Sequence, residues 1–281
     1  MGTKSFFRRL GAVIKLILQS SIDANVIRSS AAASFYALFM LFPLLISLSA
    51  LSNYFNTSES LIDKMNRYLP AQIRDGIIAY FKYASSNHST GFLILGAVFS
   101  VWFLYRLLDF LNYTLSTIYT PESPAPFLKR LPRVLVTTLV VLVSVPILFL
   151  TIVFGKNIMV SLQDMFSLPT FIILLWRYIR FPIAAFVMYA VLSVAYRFTT
   201  YHVFTAREVS PGAALSFITW LAVTVMFAGY LDRIGDYGLL YGALGTVIAL
   251  LIWLYMSAFS FLYGAVFNVK YKNYKDREVS N

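Results

Sequence analysis

Residues 31–50 read AAASFYALFMLFPLLISLSA, and this stretch decides what kind of fold the chain can have. It holds twenty residues and no charge, which is about the length that a helix needs to cross the hydrocarbon core of a bilayer. The apolar part of a cleaved signal peptide is shorter, about 7–15 residues, and thirty residues with an amphipathic pattern of their own precede this stretch. We therefore predict a membrane span here and not a cleaved signal.

Pro43 lies in the middle of this stretch. In the interior of a water-soluble helix a proline costs about 3 kcal/mol, because it removes a backbone hydrogen bond and clashes with the preceding turn. In a membrane bundle, neighbouring helices and Ser or Thr side chains can satisfy the freed carbonyl. Pro43 therefore predicts a kink that faces protein or a water-filled cavity, either as plain packing or as part of a site.

The composition of the whole chain agrees with a lipid environment. Of its 281 residues, 59% are hydrophobic and 12% are charged, whereas about 25% of the residues of a soluble domain are charged. The mean hydropathy is +0.73. The chain has no cysteine, which excludes disulfides, thiolate metal sites and a cysteine nucleophile.

Six apolar runs are long enough to cross a membrane, so we predict an all-α polytopic membrane protein with six transmembrane helices. The runs cover residues 31–51, 91–111, 134–154, 181–198, 211–231 and 239–267. Together they define one transmembrane domain at 31–269, with an N-terminal cytoplasmic segment at 1–30 and a basic cytoplasmic tail at 270–281. Residues 53–90 are predicted to form a helical loop on the extracytoplasmic side.

The distribution of basic residues predicts the orientation of these spans. With the N-terminus inside, fifteen of the 23 Lys and Arg residues lie on cytoplasmic segments and eight lie on the outer side. Cytoplasmic loops carry such an excess, so both termini are predicted to be cytoplasmic. The same bias explains much of the excess of 23 basic over 12 acidic residues, and we therefore expect no nucleic-acid partner.

Three stretches outside the spans have the pattern of amphipathic interfacial helices. Residues 3–20 place apolar side chains at helical spacing with basic residues elsewhere, which is typical of a helix on the anionic inner leaflet. Packing of this helix against the inner end of the bundle explains the pattern equally well. Residues 58–84 repeat the pattern on the outer side, in two stripes separated by Pro70. Residues 167–181 are too short to span and are predicted to lead along the interface into the fourth span.

Small residues indicate where helices approach one another closely. Gly238, Gly242, Gly245 and Ala249 recur at i, i+4, i+7 and i+11 in the sixth run. They form a ridge with almost no side chain, and such ridges let two helices pack closely in lipid. We therefore predict a packing seam along this face.

The sequence SPGAA at 210–214 is predicted to open the fifth helix. Ser210 suits the N-cap position, and Pro211 suits the first helical position, where its missing N–H costs nothing. We therefore interpret Ser210 as a structural residue and not as a nucleophile. Gly212, and Gly264 later in the chain, are assigned to helix packing as well.

Polar residues near the inner ends of the apolar runs form the candidate site. They are Arg106, Asp109 and Asn112 in the second run, Arg197 at the end of the fourth, and Tyr36, two helical turns before Pro43. A charge at mid-bilayer costs at least about 2.5–3.5 kcal/mol, so such residues tend to face protein and to be functional. We predict that they line a cavity open to the cytoplasm or inner leaflet.

The ligand of this cavity is predicted to be anionic, because guanidinium groups bind phosphate in a bidentate way. A lipid phosphate or another lipid-linked phosphate would suit the two arginines, and membrane lipids are the expected partners. The alternative is that Arg106 pairs with Asp109, one turn on, and that both only anchor the helix.

The sequence shows none of the common catalytic patterns. Its two histidines, His88 and His202, fall on opposite sides of the predicted membrane. The twelve acidic residues form no close cluster on one side that could hold a metal, and no glycine-rich loop precedes a lysine. We therefore expect no enzyme activity, no cofactor and no metal.

The first run and the last two runs resemble a known family. AAASFYALFMLFPLL (31–45), SPGAALSFITW (210–220) and YGALGTVIALLIWLYMSAFSFLYGAVFN (241–268) are similar to the YihY/BrkB family of bacterial inner-membrane proteins. The resemblance implies six spans with both ends inside and a location in the bacterial cytoplasmic membrane. It also implies a link to the movement of lipids or other amphiphiles, which has been suggested for the family.

Two positions depart from the pattern of this family. Val266 stands where the family often has a glutamate after the final Gly-Ala pair, and Thr199 and Thr200 stand where a proline is common. A role of that glutamate in relatives would be absent or relocated here. Some members carry a ribonuclease label and others a virulence-factor label. The residues of this sequence show no catalytic pattern that would support the ribonuclease label.

Three function classes follow from these observations. We expect a transporter or flippase-like protein for an amphiphilic or lipid-linked anionic solute. The alternative is a non-transporting scaffold or assembly protein of the envelope, and an enzyme is far behind. A polar-lined cavity at mid-bilayer would favour the transporter, whereas a solid apolar core with an exposed patch would favour the scaffold. The sequence leaves the substrate and the oligomeric state open.

Overall fold

A computed structural model describes residues 24–54, 90–120, 126–149, 151, 169–199, 204–233 and 238–280, and the structural statements below concern these residues. The predicted interfacial helices at 3–20 and 58–84 lie outside the described residues. The same holds for most of the predicted outer loop at 53–90.

The described residues form six α-helices and no strand. The helices are α1 (Ala24–Tyr54), α2 (Thr90–Tyr119), α3 (Phe127–Phe149), α4 (Thr170–Thr199), α5 (Ala206–Arg233) and α6 (Gly238–Ser280). The prediction of an all-α polytopic membrane fold is confirmed.

Five of these helices are long and apolar enough to cross a membrane. Their candidate spans are Asn25–Leu45, Ile94–Tyr119, Tyr178–Thr199, Ala206–Tyr230 and Val247–Arg277. The third predicted span, 134–154, falls on α3, which ends at Phe149. Because residues 152–154 lie outside the described part, a sixth span at α3 stays a prediction.

Three helices continue beyond the ends of the apolar runs. α2 continues past residue 111 to Tyr119, α6 continues past residue 267 to Ser280, and α4 begins at Thr170 and not near residue 181. Hydropathy marks only the part of a helix that lipid surrounds. The backbone hydrogen bonds of the helix continue beyond it as long as the residues tolerate helical geometry. From Thr170 on, the predicted interfacial segment is therefore the first part of α4, and the basic tail is helical through Ser280.

The start of α5 corrects a sequence prediction. The helix begins five residues before Pro211, which lies inside it. Thr205 and Glu208 form one half of a capping box, because the Glu208 carboxylate accepts hydrogen bonds from the Thr205 backbone N–H at 2.6 Å and from the Thr205 hydroxyl at 3.0 Å. Ser210 is therefore not the N-cap, and its hydroxyl lies 2.6 Å from that of Tyr189 on α4. The helix starts before Pro211 because the Glu208 carboxylate binds the N–H of Thr205 and so stabilises the first turn at that point.

The six helices form a closed ring. Each helix packs against the next one along the chain, α6 returns to α1, and α2 also contacts α4 and α6 across the ring. The most extensive contacts join α1 to α2 and α5 to α6. This arrangement leaves α2 as the helix with the most neighbours, so its polar residues can reach several partners.

The most deeply buried core lies at one end of the ring, where the starts of α1 and α5 meet the ends of α2 and α4 and the later part of α6. Its members are Val26, Leu115, Tyr119, Tyr196, Phe204, Val209, Ala213, Leu262 and Ala265. We call this end the inner end, after its predicted cytoplasmic orientation. Elsewhere large apolar side chains such as Val98, Phe186 and Met226 are 60–75% exposed, as expected of a surface that contacts lipid tails.

Candidate functional site

Arg106, Asp109 and Asn112 do not form one cluster on α2. Arg106 is exposed, whereas Asp109 and Asn112 are 9% and 5% exposed. A helix turns by about 100° per residue, so Asp109 projects about 60° and Asn112 about 120° away from the direction of Arg106. The structure therefore separates three residues that the sequence placed in one site.

Asp109 forms an ion pair with Arg130 of α3. Arg130 donates through Nε to Oδ1 at 2.6 Å and through Nη2 to Oδ2 at 3.2 Å, and both side chains are 12% exposed. The guanidinium also lies 5.2 Å from the ring centre of Tyr113. Bidentate geometry and an aromatic face offset part of the cost of taking both charges out of water.

The alternative of an Arg106–Asp109 pair is wrong. The carboxylate of Asp109 is occupied by Arg130, which reaches it from the neighbouring helix. Arg106 points out of the bundle on the same helix as Asp109. The ion pair therefore joins α2 to α3 and does not merely brace one turn of α2.

Asn112 connects α2 to α3 and α4. Its amide oxygen accepts a hydrogen bond from the Thr199 hydroxyl at 2.9 Å, and its amide nitrogen donates to the Thr137 hydroxyl at 3.4 Å and to the Leu108 carbonyl at 2.9 Å. These three side chains are at most 5% exposed. A cavity of about 30 Å³, which we call the small cavity, lies beside them and has room for about one water molecule.

The other two predicted site residues lie elsewhere. Arg197 is partly buried on α4, nine residues after Met188 and therefore about 180° around the helix from it. Tyr36 places its ring 5.7 Å from that of Phe110 on α2. Pro43 lies inside α1 and is partly buried, and the rings around Tyr36 belong to the contact between α1 and α2.

A cavity of about 220 Å³, which we call the central cavity, lies between α1, α2, α4, α5 and α6. It is lined by Ala33, Ala37, Leu107, Leu111, Met188, Leu192, Ser216, Trp220, Leu254, Ser257, Ala258 and Phe261. The predicted site residues Arg106, Asp109, Asn112, Arg197 and Tyr36 are not among them. The expectation that these residues line a common cavity therefore stays a prediction.

The hydroxyl groups in this lining already have hydrogen-bond partners. Ser216 donates to the carbonyl of Ser260 at 3.0 Å, and Ser257 donates to the carbonyl of Trp253 at 2.8 Å. The central cavity therefore offers a ligand mainly hydrocarbon surface. The polar residues Asp109 and Asn112 of α2 face α3 and α4 instead.

A hydrogen-bonded network begins at the wall of the central cavity. The hydroxyl of Tyr196 on α4 donates to the carbonyl of Phe261 on α6 and lies 2.6 Å from the hydroxyl of Ser216 on α5. Tyr196 is completely buried, and its ring stacks on that of Phe261 with centroids 4.9 Å apart. One tyrosine thus holds α4, α5 and α6 together.

Asn268 forms a second hydrogen-bonded set at the inner end of the bundle, which meets the first through the edge-to-face contact of the Tyr119 and Tyr196 rings. Its amide oxygen accepts a hydrogen bond from the Gly212 backbone N–H at 2.6 Å. Its amide nitrogen donates to the Tyr119 hydroxyl at 3.0 Å and to the Val209 carbonyl at 3.1 Å. Gly212 lies one position after Pro211, so an asparagine side chain serves a backbone N–H in the turn that the proline interrupts. We refer to Tyr119, Tyr196, Gly212, Ser216 and Asn268 as the inner-end network.

Gly212 and Gly264 bring α5 and α6 into backbone contact at this network. A Cβ atom added to Gly264 would overlap with the Ser216 hydroxyl oxygen and the Gly212 carbonyl and would lie 2.9 Å from the Tyr196 hydroxyl. A Cβ atom added to Gly212 would overlap with the Gly264 carbonyl and the Asn268 side chain. Only glycine allows both helices to reach the network.

The predicted glycine ridge lies at the other end of α6. Gly238 and Gly242 are helical, but their surroundings lie outside what the structure describes, and Gly245 is partly buried. A packing seam along this ridge therefore stays a prediction. Within the described ranges no group of three or more His, Cys, Asp or Glu residues is placed to hold a metal ion.

A known protein family matches most of the chain. The family model described as Virulence factor BrkB matches residues 17–281. The chain belongs to the BrkB family. This confirms the resemblance found in the sequence, and together with the apolar helices it makes the chain a multi-pass integral membrane protein.

Two kinds of BrkB relative are similar to the chain at low identity. YfkH of Bacillus subtilis (strain 168), whose name describes it as ribonuclease-like, is 26% identical over 241 residues, which are 85% of this chain and 87% of the relative. A UPF0761 membrane protein of Xanthomonas axonopodis pv. citri (strain 306) is 26% identical over 257 residues, which are 87% of this chain and 57% of the relative. The chain thus spans just over half the length of the Xanthomonas protein. No solved structure matches the chain.

One position that departs from the BrkB family pattern lies at the inner end of the bundle. Val266, where the resemblance leads to the expectation of a glutamate, is partly buried and packs against the core of the inner end. An ionised carboxylate at this place would need a polar partner. Sequence reasoning missed Ser216 and Asn268 as site residues. Each lies four residues, about one helical turn, after a motif glycine (Gly212 and Gly264), and that spacing was the available signal.

Proposed function

We propose that this BrkB-family protein is a transporter or flippase-like protein of the bacterial cytoplasmic membrane, with both termini inside. In this proposal the central cavity binds the hydrocarbon chain of an anionic or lipid-linked amphiphile. The observation that carries it is a cavity of about 220 Å³ among five helices. Its lining is apolar, whereas the sequence led to the expectation of a polar lining for a transporter, so the cavity suits the hydrocarbon chain of an amphiphile and not a polar solute. A chain makes dispersion contacts along such a wall, whereas a solute that needs hydrogen bonds would lose them there.

The depth of the cavity supports access from the inner leaflet. Ala33 and Ala37 lie nine and thirteen residues after the start of α1, and Leu111 and Leu107 lie eight and twelve residues before the end of α2. At 1.5 Å per residue, these positions are about 12–20 Å from the inner ends of their helices. The tail of a lipid in the inner half of a hydrocarbon core about 30 Å thick would reach this depth.

The head group of such an amphiphile would lie outside the cavity. Arg106 is exposed and precedes Leu107 of the cavity lining by one residue. Arg106 lies about 20 Å from the inner end of α2, so its guanidinium would meet a phosphate only while the head group crosses the membrane along the surface of the bundle. There it could form two parallel hydrogen bonds with the phosphate oxygens. We therefore propose Arg106, and not Arg197, as the contact for the anionic group.

A scaffold without transport is the second candidate. The observation that favours it is the inner-end network, in which buried hydrogen bonds and two glycines fix α2, α4, α5 and α6 to one another. A rigid bundle of this kind suits a platform for other envelope proteins. The two candidates differ in whether lipid enters the central cavity.

The proposal includes no catalytic step, although one relative has a ribonuclease-like name. A phosphodiester would need polar or charged groups around the reacting atoms, and the lining of the central cavity offers mainly carbon. Incubation of the purified protein with labelled RNA tests this part of the proposal. Degradation that persists through a second purification step would overturn it.

A cavity-filling variant tests lipid binding. Ala37→Phe places a ring in the central cavity, whereas Ala31→Phe on the same helix adds the same ring at an exposed position. We expect native mass spectrometry to show bound phosphatidylglycerol on the wild type and on Ala31→Phe, and at least tenfold less on Ala37→Phe. Arg106→Gln should weaken the binding of phosphatidylglycerol but not that of an uncharged diacylglycerol.

Transport is measured after reconstitution. Fluorescent phosphatidylglycerol in one leaflet of a liposome should exchange between leaflets faster with the wild type and with Ala31→Phe than with Ala37→Phe. Binding without exchange would favour the scaffold, and equal lipid binding by all three proteins would exclude the central cavity as the site.

A further inference from the structure

The central cavity and the small cavity share two lining residues, Leu111 and Phe261. Neighbouring leucines of α2 are divided between the cavities, because Leu107 lines only the central one and Leu108 only the small one. Leu111 and Phe261 therefore form the wall between two spaces of about 220 Å³ and 30 Å³.

This wall is held in place by the inner-end network. The ring of Phe261 stacks on the buried ring of Tyr196 at a tilt of 18°, and its backbone carbonyl accepts the hydrogen bond of the Tyr196 hydroxyl. Behind the wall, the small cavity has Asn112, Thr137 and Thr199 as the polar members of an otherwise apolar lining. A hydrocarbon chain that passed the wall would meet hydrogen-bonded polar groups.

We infer that Leu111 and Phe261 set the length of the hydrocarbon chain that the central cavity accepts. This inference rests on the proposed function and adds a specificity to it. A water molecule takes about 30 Å³ of liquid volume and a methylene group is of similar size, so the central cavity holds about seven methylene groups. That is enough for part of one unbranched chain, and the rest of the amphiphile stays outside.

Removal of the wall lengthens the accepted chain. Leu111→Ala deletes three carbon groups and joins the small cavity to the central one, which together adds space for about four methylene groups. Leu108→Ala deletes the same atoms one residue earlier but enlarges only the small cavity behind the wall. The two variants therefore differ in whether the added space is connected to the chain site.

The experiment measures which chain length each protein retains. The purified protein in detergent is mixed with an equimolar series of lysophosphatidylglycerols that differ only in saturated chain length, and bound lipid is weighed by native mass spectrometry. We expect the optimum of Leu111→Ala to lie about four methylene groups above that of the wild type. The optimum of Leu108→Ala should equal that of the wild type.

A second variant tests the same inference in the opposite direction. Ala258 lines the central cavity on α6, and Ala258→Val adds two carbon groups to its wall. The optimum should fall by about two methylene groups, so the inference can be tested even if Leu111→Ala does not fold.

The outcomes separate this inference from the proposed function. Absence of bound lysolipid on the wild type would overturn both. Lysolipid binding with the same optimum in wild type, Leu111→Ala and Ala258→Val would leave chain binding in place and overturn the role of the wall. An equal lengthening in Leu108→Ala and Leu111→Ala would also contradict it.

Discussion

Gly264→Ala tests whether the close approach of α5 and α6 stabilises the bundle. The new methyl group would overlap with the backbone carbonyl of Gly212 and with the Ser216 hydroxyl, and it would lie 2.9 Å from the Tyr196 hydroxyl. A backbone atom cannot rotate away as a flexible side chain does, so α5 and α6 must separate. That separation strains the hydrogen bond between Gly212 and Asn268.

The size of the effect follows from opposing terms. Overpacking of a well-packed contact costs about 1–3 kcal/mol. Loss of the Ser216–Ser260 and Gly212–Asn268 hydrogen bonds adds about 1 kcal/mol each. Alanine is a better helix former than glycine by about 1 kcal/mol, which acts in the other direction. The free energy of unfolding should therefore fall by about 2–4 kcal/mol.

Gly229→Ala is the matched control on α5. A Cβ atom added there meets no heavy atom within 4 Å, so only the helix propensity changes and stability should rise by up to about 1 kcal/mol. The assay is equilibrium unfolding in mixed micelles with increasing dodecyl sulfate, followed by circular dichroism. If Gly264→Ala unfolds at the same sulfate fraction as the wild type, the two helices are not in the backbone contact described above.

Two further predictions concern the ion pair and the topology. Asp109→Asn removes the carboxylate that pairs with the largely buried Arg130, so the free energy of unfolding should fall by up to about 3 kcal/mol. A variant with leucine at both positions should recover most of this loss. An unchanged unfolding curve for Asp109→Asn would contradict the pair. The chain has no cysteine, so the single variants Ser86→Cys and Ser280→Cys report the orientation directly. In intact cells a membrane-impermeant maleimide should label Ser86→Cys and not Ser280→Cys. The reverse pattern would overturn the cytoplasmic location of the termini.

The sequence by itself determined the environment of this protein and the kind of structure it forms. Run length and hydropathy predict membrane-spanning helices because both are local properties, set by the thickness of the bilayer and by the need to satisfy the backbone within each span. The same reasoning located polar residues near the inner ends of the runs. It also recognised the family from the motifs around Pro43, Pro211 and Gly264.

The helix ends were less predictable than the helices. Hydropathy ended the second run at residue 111, but α2 continues to Tyr119, whose hydroxyl accepts a hydrogen bond from Asn268. The start of α5 depended on a capping box at Thr205 and not on Pro211. Caps and side-chain hydrogen bonds decide where a helix stops, and they involve a few atoms that a hydropathy average does not register.

Only the tertiary structure decided which polar groups meet. Asp109 has an arginine three residues before it on its own helix, yet it pairs with Arg130 of α3. Neither Arg106 nor Arg197 lines the central cavity between five helices, which is lined mainly by carbon. The partner of a side chain depends on the rotation and offset of neighbouring helices. Those two quantities are set by close contacts such as that of Gly212 with Gly264, which join positions more than fifty residues apart in the chain.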